Sequence, residues 1–262
     1  MSSPLLLVDN SNTRTKFALV APGAHEPSPP RSCPTAELSP AAIRRVLSGW
    51  SFSHAVLCSV APRAAAILRE SLGCPISEIT AACCPRLLRG YPSPDSLGPD
   101  RIANAAAVAA YYPLPCIAVD LGTACTFDLV VADADGPRFA GGAISPGIHT
   151  AAHSLADKTA RLPHFSAADL REPPPPGACG LSTKQAMLAG LRYGFQGMVR
   201  GVIEQMSRAL HQQPHVVLTG GDAELLAHLE PFNTSIDKQL TIKGILHIHK
   251  NNDTLFCPSC AK

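Results

Sequence analysis

The sequence repeats one strand–turn–strand pattern, and this repeat limits the folds that the chain can adopt. The first copy, LLLVDNSNTRTKFAL, spans residues 5–19, and the second, IAVDLGTACTFDLVV, spans residues 117–131. In each copy an apolar run ends at an aspartate, Asp9 or Asp120, and a small polar turn leads into a second apolar run. Such runs separated by turn residues are typical of β-hairpins. Two hairpins at the heads of two halves predict two similar α/β domains that face one cleft.

Helical patterns alternate with the predicted strands, and this alternation favours an α/β architecture. Strands are predicted at 4–9, 15–20 and 54–60, and helices at 39–50, 61–73, 101–112 and about 182–210. Ser182 with Gln185 three residues later predicts a capping box at the start of the long helix. The segment HVVLTGGDAELLAHL, residues 215–229, predicts a strand, a glycine turn and a helix. We place the N-terminal domain at residues 1–114 and the C-terminal domain at residues 115–262.

Composition and charge narrow the class of protein. The 262 residues carry 22 basic and 20 acidic side chains, for a net charge of +2, without a run of like charge. We therefore expect neither a nucleic-acid nor a membrane partner. The apolar run before Asp9 is too short for a secretory signal, so we expect a cytoplasmic protein with reduced cysteines. Cys257 and Cys260, with His247 and His249 upstream, leave a metal site or a pair of plain thiols open.

The first hairpin supplies what a nucleoside triphosphate needs. Asp9 offers a carboxylate for hydrated magnesium, turn residues 10–13 offer backbone N–H groups, and Lys16 offers a positive charge. The alternative is that the turn side chains only cap their own backbone. The segment 117–131 offers a second turn of this kind for phosphates, and residues 219–222 form a third, glycine-rich turn. The candidate ATP-binding residues are Asp9, Asn10, Ser11, Asn12, Thr13, Arg14, Thr15, Lys16, Thr123, Gly220 and Gly221.

Three more motifs accompany the two hairpins and the glycine turn, and the order of all these motifs along the chain is a specific signal. They are LGPDR at 97–101, GGAISPGI at 141–148 and GLSTKQAMLAG at 180–190. The hairpins and the glycine turn resemble the phosphate and adenosine loops of the actin-like ATPase superfamily. With these three motifs, residues 5 to 248 closely resemble the type III pantothenate kinases. The resemblance implies ATP-dependent phosphorylation of pantothenate to 4′-phosphopantothenate, the first step of coenzyme A biosynthesis, by a homodimer.

The resemblance also implies a role for individual residues. Asp100 is similar to the family's catalytic base, and Asp9 to its magnesium-associated carboxylate. Asp120 is similar to the site of a monovalent cation, K⁺ or NH₄⁺, and Thr123 to an ATP contact. The residues implied to bind substrate are Tyr91, Gly98, Pro99, Asp100, Arg101 and Thr183, the last from the partner subunit.

Each of these residues also has a structural interpretation. Asp100 at a helix start would stabilise the helix, Arg101 could form a surface ion pair, and Tyr91 could be an ordinary loop aromatic. The glycines of the long helix, at 190, 194, 197 and 201, permit close packing, either on their own domain or at a dimer seam.

The sequence departs from the family pattern at Ser11, where the family has glycine. Serine there would either strain the turn by roughly 1–2 kcal/mol or donate its hydroxyl to a phosphate. Two alternative functions stay open, a non-catalytic dimeric homologue with a regulatory or accessory role, and a kinase of another small alcohol.

Overall fold

The computed structural model describes residues 3–210, 212–226 and 229–251. Its strands are β1 (Leu5–Asn10), β2 (Arg14–Val20), β3 (Arg31–Pro34), β4 (His54–Ser59), β5 (Ile76–Glu78), β6 (Cys116–Leu121), β7 (Ala124–Asp133), β8 (Gly136–Pro146), β9 (His215–Thr219) and β10 (Thr234–Ile236). Its helices are α1 (Pro40–Val46), α2 (Pro62–Ser71), α3 (Pro99–Tyr111), α4 (Ile148–Asp157), α5 (Ala167–Arg171), α6 (Thr183–Arg208) and α7 (Leu240–Asn251). The predicted metal pair Cys257 and Cys260 lies outside the described residues.

The ten strands form two five-stranded sheets of the same topology. The first sheet has the order β3-β2-β1-β4-β5, and the second has the order β8-β7-β6-β9-β10. In each sheet an antiparallel hairpin, β1–β2 or β6–β7, is followed by parallel pairing of its first strand with a later strand. The repeat seen in the sequence is therefore a repeat of whole sheets, and the predicted α/β fold with two similar halves is confirmed.

In the first unit, helices cover both faces of the sheet. One face packs apolar side chains of β1 and β2, such as Val8 and Phe17, against α1 and α2. On the other side α3 packs along α7, where Thr241 donates a hydrogen bond to the buried Asn104 (2.8 Å). This pairing fixes the helix whose first turn carries Asp100.

In the second unit, one large core lies between the sheet and the helices α4, α5 and α6. Phe127 of β7 and Val119 of β6 pack there with Phe195 and Val199 of α6. Alternate side chains of β6 and β7 enter this core, as the pleat of a strand requires. The end of the hairpin therefore stands at the edge of a rigid, buried layer.

The contacts of the chain divide it into two compact units. The first comprises residues 3–112, 132–139 and 239–251, and the second comprises 113–131 and 140–238, within the described ranges. The division predicted from the sequence assigned everything after residue 114 to the second domain. The contacts differ from it in two segments, the tip of the β7–β8 hairpin and the last helix, α7. The domain boundary itself stays a prediction.

Two predicted elements differ in detail from the structure. After β9 the described residues form a short 3₁₀ turn at Ala223–Leu226 instead of the predicted α-helix. Pro231 follows closely, and a proline disfavours helical geometry in the residue before it. At the start of α6, Ser182 accepts from the N–H of Gln185 as predicted, but the Gln185 side chain accepts from Leu181. Within the described residues no helix has both the length and the apolarity to cross a bilayer.

Candidate active site

The carboxylate of Asp9 lies at the centre of the first hairpin. Asp9 stands directly opposite Lys16 in the β1–β2 register, which brings Lys16 Nζ to 3.1 Å from Asp9 Oδ2. The second carboxylate oxygen, Oδ1, accepts from the hydroxyl of Ser11 at 3.0 Å. The side chain of Asp9 is 3% exposed and that of Lys16 is 30% exposed. A buried carboxylate is thus oriented by two donors, one of which reaches solvent.

The turn after Asp9 is braced by side chains from neighbouring strands. Asn10 donates to Thr15 Oγ1 (2.7 Å) and accepts from Ser59 Oγ (2.6 Å). Thr35, just after β3, donates its hydroxyl to the carbonyl of Ser11 (2.7 Å), which ties the end of β3 to the turn. These bonds show that the structural interpretation of the turn holds for part of it, because Asn10 and Thr15 are buried in the network.

The expected strain at Ser11 is absent. Among the described residues Ala178 alone combines a side chain with a positive φ, so Ser11 has an ordinary backbone conformation. The turn also closes with a hydrogen bond from the Ser11 N–H to the carbonyl of Arg14 (3.2 Å). Of the two alternatives given for Ser11, the strained turn is therefore not found, since such strain requires a positive φ. The Ser11 hydroxyl has a protein acceptor, Asp9.

Asp100 lies in the first turn of α3, as the sequence predicted. Its Oδ1 accepts from the N–H of Arg101 at 2.8 Å. Burial raises the pKa of the Asp100 carboxyl, the N–H of Arg101 opposes the rise, and the negative charge of Asp9 adds to it. The fully buried Cys58 thiol has a pKa raised well above its usual range by burial and by the charges of both aspartates. Asp9 and Asp100 therefore lie in one electrostatic environment around Cys58.

The structure explains why a glycine, Gly98, precedes Pro99 and Asp100 in the LGPDR motif. A Cβ at this position would lie 2.6 Å from Asp100 Oδ1, closer than real Cβ contacts. Any side chain at residue 98 would displace the carboxylate from its place at the helix start. The glycine therefore protects the position of Asp100, and Pro99 opens α3 with a φ that suits the first helical turn.

Tyr91 and Arg101 meet at a residue that the sequence analysis did not select. The ring of Tyr91 lies edge-on to Phe139, with 5.2 Å between centroids and 75° between planes. The guanidinium carbon of Arg101 lies 5.8 Å from the centroid of the same ring. Phe139 itself is fully buried. Two of the residues implied to bind substrate are thus brought together by β8.

The second hairpin repeats the geometry of the first with different chemistry. Asp120 stands opposite Thr126, whereas Asp9 stands opposite a lysine. Gly220, with φ of +90°, lies against this aspartate, and a Cβ there would come within 2.6 Å of Asp120 Oδ1. The turn is closed from the other side by Gly147, whose N–H donates to the carbonyl of Thr123 (3.0 Å). The aspartate of the second hairpin therefore faces a threonine where that of the first faces a lysine.

The glycine turn after β9 is held against this cradle. Asp222 donates its N–H to the carbonyl of Leu121 (3.1 Å), and its buried carboxylate lies 3.3 Å from His149 Nε2. Gly221 is exposed beside it. His149 belongs to α4, so this pair joins the glycine turn to the start of a helix in the second unit.

Thr183 is exposed at the first position of α6. Among the described residues, and apart from the helix's own adjoining backbone, no heavy atom lies within 4 Å of where a Cβ would stand at the glycines of this helix, 190, 194, 197 and 201. Their shared face is therefore not packed on its own unit, and this removes one of the two interpretations given to the row. Leu181, just before the helix, is 95% exposed.

Comparison with known proteins identifies the family. The family model for type III pantothenate kinase matches residues 5–205. The chain belongs to the type III pantothenate kinase family. A type III pantothenate kinase of Akkermansia muciniphila is 41% identical over 244 residues, covering 92% of this chain and 96% of that protein. Another, of Methylacidiphilum infernorum, is 34% identical over 243 residues, covering 92% of this chain and 86% of that protein. This membership makes the chain a kinase, as predicted.

Other proteins of known structure share the fold of this pantothenate kinase family member. A protein of Campylobacter jejuni described as a Baf family transcriptional activator matches with a TM-score of 0.61 at 20% identity, over 95% of this chain and 99% of its own. An ethanolamine utilization protein of Carboxydothermus hydrogenoformans matches with a TM-score of 0.54 at 13% identity, over 96% and 89% of the chains. At such identities the likeness concerns the fold alone. The predicted α/β fold with two similar halves is thus shared with these proteins.

Several residues around the kinase motifs were missed by sequence reasoning. Phe139, Ser59, Thr35 and Cys58 reach the motifs only through strand pairing and helix packing. The one signal available for Phe139 was its place just before the GGAISPGI motif. Their contacts join positions that are far apart in the sequence, so no local pattern could have revealed them.

Proposed function

We propose that the protein transfers the γ-phosphoryl group of ATP to the primary hydroxyl of pantothenate, with Asp100 as the general base. The observation that carries this proposal is the position of Asp100 at the start of α3, half-buried, with a raised pKa and beside the charge of Asp9. A base with a pKa moved toward neutrality transfers protons more effectively near neutral pH. Asp100 accepts the hydroxyl proton, the alkoxide oxygen bonds to the γ-phosphorus, and ADP leaves.

The first hairpin fits the phosphates of ATP and a hydrated magnesium ion. Within the described residues no three His, Cys, Asp or Glu side chains lie together to form a metal cage. Proteins often hold magnesium through one or two carboxylates, while phosphates and water supply the other ligands. Asp9 would hold the ion through its waters, and the ion would neutralise charge that develops on the phosphates. Lys16 adds a positive charge that is partly exposed.

The remaining turn residues are proposed to contact ATP through their backbone or exposed side chains. Asn12, Thr13 and Arg14 are exposed on the first turn, whereas Asn10 and Thr15 act by bracing it. In the second unit the proposed ATP contacts are Thr123, Gly220 and Gly221.

Asp120 is the proposed ligand of a monovalent cation. The backbone of Gly220 lies close to Asp120 Oδ1 and to the carbonyl of Leu121, so that a Cβ at this position would meet both oxygens. Carboxylate and carbonyl oxygens suit hard cations such as K⁺. In the strand register Asp120 faces Thr126, whereas Asp9 faces Lys16. The ion would fix the shape of the second turn.

We propose that pantothenate binds along the start of α3. Arg101 would hold its carboxylate or amide, Tyr91 would contact its chain, and the backbone at Gly98 and Pro99 would line the pocket. Thr183 would come from a second subunit, because the glycine face of α6 is unpacked in the single chain and Thr183 is exposed at its start. Because the reaction consumes ATP, we place it in the cytoplasm.

The test is a single assay with purified protein. The protein is incubated with MgATP, KCl and pantothenate, and 4′-phosphopantothenate is sought by mass spectrometry. We expect product with wild type, a loss of at least about 100-fold in kcat with Asp100→Asn, and lower turnover when NaCl replaces KCl. Asp95→Asn, an exposed aspartate five residues earlier, is the matched control and should remain active. Absence of product from wild type would overturn the substrate, and an active Asp100→Asn would overturn the base.

A non-catalytic role is the competing hypothesis. The pairing of the buried Asp9 with Lys16 and the placement of Asp100 speak against it, since a protein that only bound nucleotide would not need a base near a phosphate turn. Testing a panel of small alcohols in the same assay would show whether pantothenate or another alcohol is the acceptor.

A further inference from the structure

Phe139 joins the two side chains proposed to recognise pantothenate. Its ring meets the edge of Tyr91 at 5.2 Å between centroids, and the guanidinium carbon of Arg101 lies 5.8 Å from its centre. Edge-to-face aromatic pairs and cation–π pairs both depend on ring geometry. The phenol of Tyr91 and the guanidinium of Arg101 therefore both pack against one fully buried ring.

The ring is held in place by the tip of the β7–β8 hairpin. The N–H of Phe139 donates to the carbonyl of Leu87 at 2.8 Å, which ties β8 to the loop that carries Tyr91. Arg89 of the same loop donates to the carbonyls of Gly136 (2.8 Å) and Pro137 (2.7 Å) and pairs with Asp133. One arginine thus fastens the hairpin tip and the loop together by several bonds. The tip is positioned by strong, charge-assisted contacts.

We infer that Phe139 is a positioning residue for pantothenate, acting through Tyr91 and Arg101. The inference rests on the proposed function, because it concerns the acceptor side of that reaction. Phe139 is buried and does not itself need to touch the substrate. It sets the spacing of an aromatic hydroxyl and a guanidinium, the groups that suit an acceptor with a carboxylate at one end. The ATP side should be indifferent to it, since the phosphate turn is braced by other residues, Thr35 and Ser59.

The experiment compares Phe139→Leu with Phe127→Leu in steady-state kinetics. Phe127 is also fully buried, but it belongs to the core of the second unit and serves as the matched control. For Phe139→Leu we expect the KM for pantothenate to rise about fivefold to tenfold, with the KM for ATP and kcat changed less than twofold. For Phe127→Leu we expect lower thermal stability without this split. Equal changes in both KM values, or none, would overturn the inference.

A double-mutant cycle shows whether Phe139 acts through Tyr91. If it does, Phe139→Leu should lower kcat/KM for pantothenate much less in a Tyr91→Leu background than in wild type. Additive effects would contradict the inference. If Phe139→Leu does not fold, Arg89→Gln loosens the hairpin tip from outside the core and should raise the KM for pantothenate about twofold to fivefold, with an unchanged KM for ATP. No such rise would count against the inference. Failure of wild type to phosphorylate pantothenate would instead overturn the proposed function, which keeps the two failures distinct.

Discussion

At the scale of single residues, Ser11 shows how one substitution changes the chemistry of a turn. Ser11 carries a hydroxyl that donates to Asp9 Oδ1 at 3.0 Å, which a glycine at this position would lack. The backbone takes this side chain without positive φ. Ser11 therefore acts on the orientation of a carboxylate and not on the shape of the turn.

Replacing Ser11 separates these two effects. We expect Ser11→Gly and Ser11→Ala to raise the KM for MgATP by a similar factor, about twofold to fivefold, because both remove the hydroxyl that orients Asp9. Turnover should change less than twofold. The measurement is initial velocity against MgATP at saturating pantothenate. An effect of Ser11→Gly alone would assign the change to the backbone, and wild-type kinetics in both variants would show that the hydroxyl is silent.

The ionised Asp100 carboxylate should lower the free energy of unfolding at neutral pH, although it serves catalysis. Its folded pKa is raised by burial, above the value of about 3.9 usual for Asp in an unfolded chain. The stability it contributes is thus present below the unfolded pKa and is lost as the pH rises through the folded pKa. We expect Asp100→Asn to be inactive yet at least as stable as wild type at pH 7, and to lose less stability than wild type between pH 4 and pH 7.

Urea unfolding at several pH values measures this difference. Asp95→Asn is the control, since Asp95 is exposed and its replacement should leave the pH profile unchanged. A variant Asp100→Asn that is less stable than wild type at pH 7 would contradict the assigned direction of the pKa. The acid limb of the wild-type rate profile should also lie above the usual pKa of a free aspartate.

At the scale of elements, α3 was predictable and its partner α7 was not. The alanine-rich run from residue 101 to 112 predicts a helix, and the structure has it at Pro99–Tyr111. The helix Leu240–Asn251 was not predicted, although it packs along the whole of α3. Its glycine, Gly244, lies against the backbone of Ala103. The close crossing of the two helices holds the helix that carries Asp100.

Filling this crossing should destabilise the protein. A Cβ in Gly244→Ala would overlap the backbone of Ala103, which has no flexible end to move aside. We expect the free energy of unfolding to fall by about 2 kcal/mol or more, despite the better helix propensity of alanine. Lys250→Ala, at an exposed position of the same helix, should change it by less than about 0.5 kcal/mol. Chemical denaturation measures both, and an equally stable Gly244→Ala would show that the helices can separate without cost.

At the scale of the whole molecule, the two sheets repeat one topology with two chemistries. Asp9 and Asp120 occupy matching places, but the residue opposite is a lysine in one hairpin and a threonine in the other. The sequence revealed the repeat, because apolar runs and turn residues are local signals. It did not reveal which later strand pairs with each hairpin, since parallel partners are separated by long segments of chain.

The dimer proposed for this molecule is tested on the glycine face of α6. We expect Gly194→Arg to give a monomer, because the long side chain occupies a face with no atom near the glycine in the single chain. Activity should fall by at least tenfold, as Thr183 would no longer reach the partner's site. Gln196→Arg changes an exposed residue on another side of the same helix and is the control. Light scattering and activity measure both. An active monomer, or an unaffected dimer, would contradict the proposal.

The sequence by itself determined the strand–turn pattern, the order of the motifs and the family, since each depends on residues that are close together in the chain. Only the tertiary structure decided which groups act together. It brought Phe139 between Tyr91 and Arg101, set Asp100 within the field of Asp9, and directed Ser11 to a carboxylate. The reason is physical. A side-chain contact depends on strand register and helix packing, and these are settled when distant segments bury their apolar faces together.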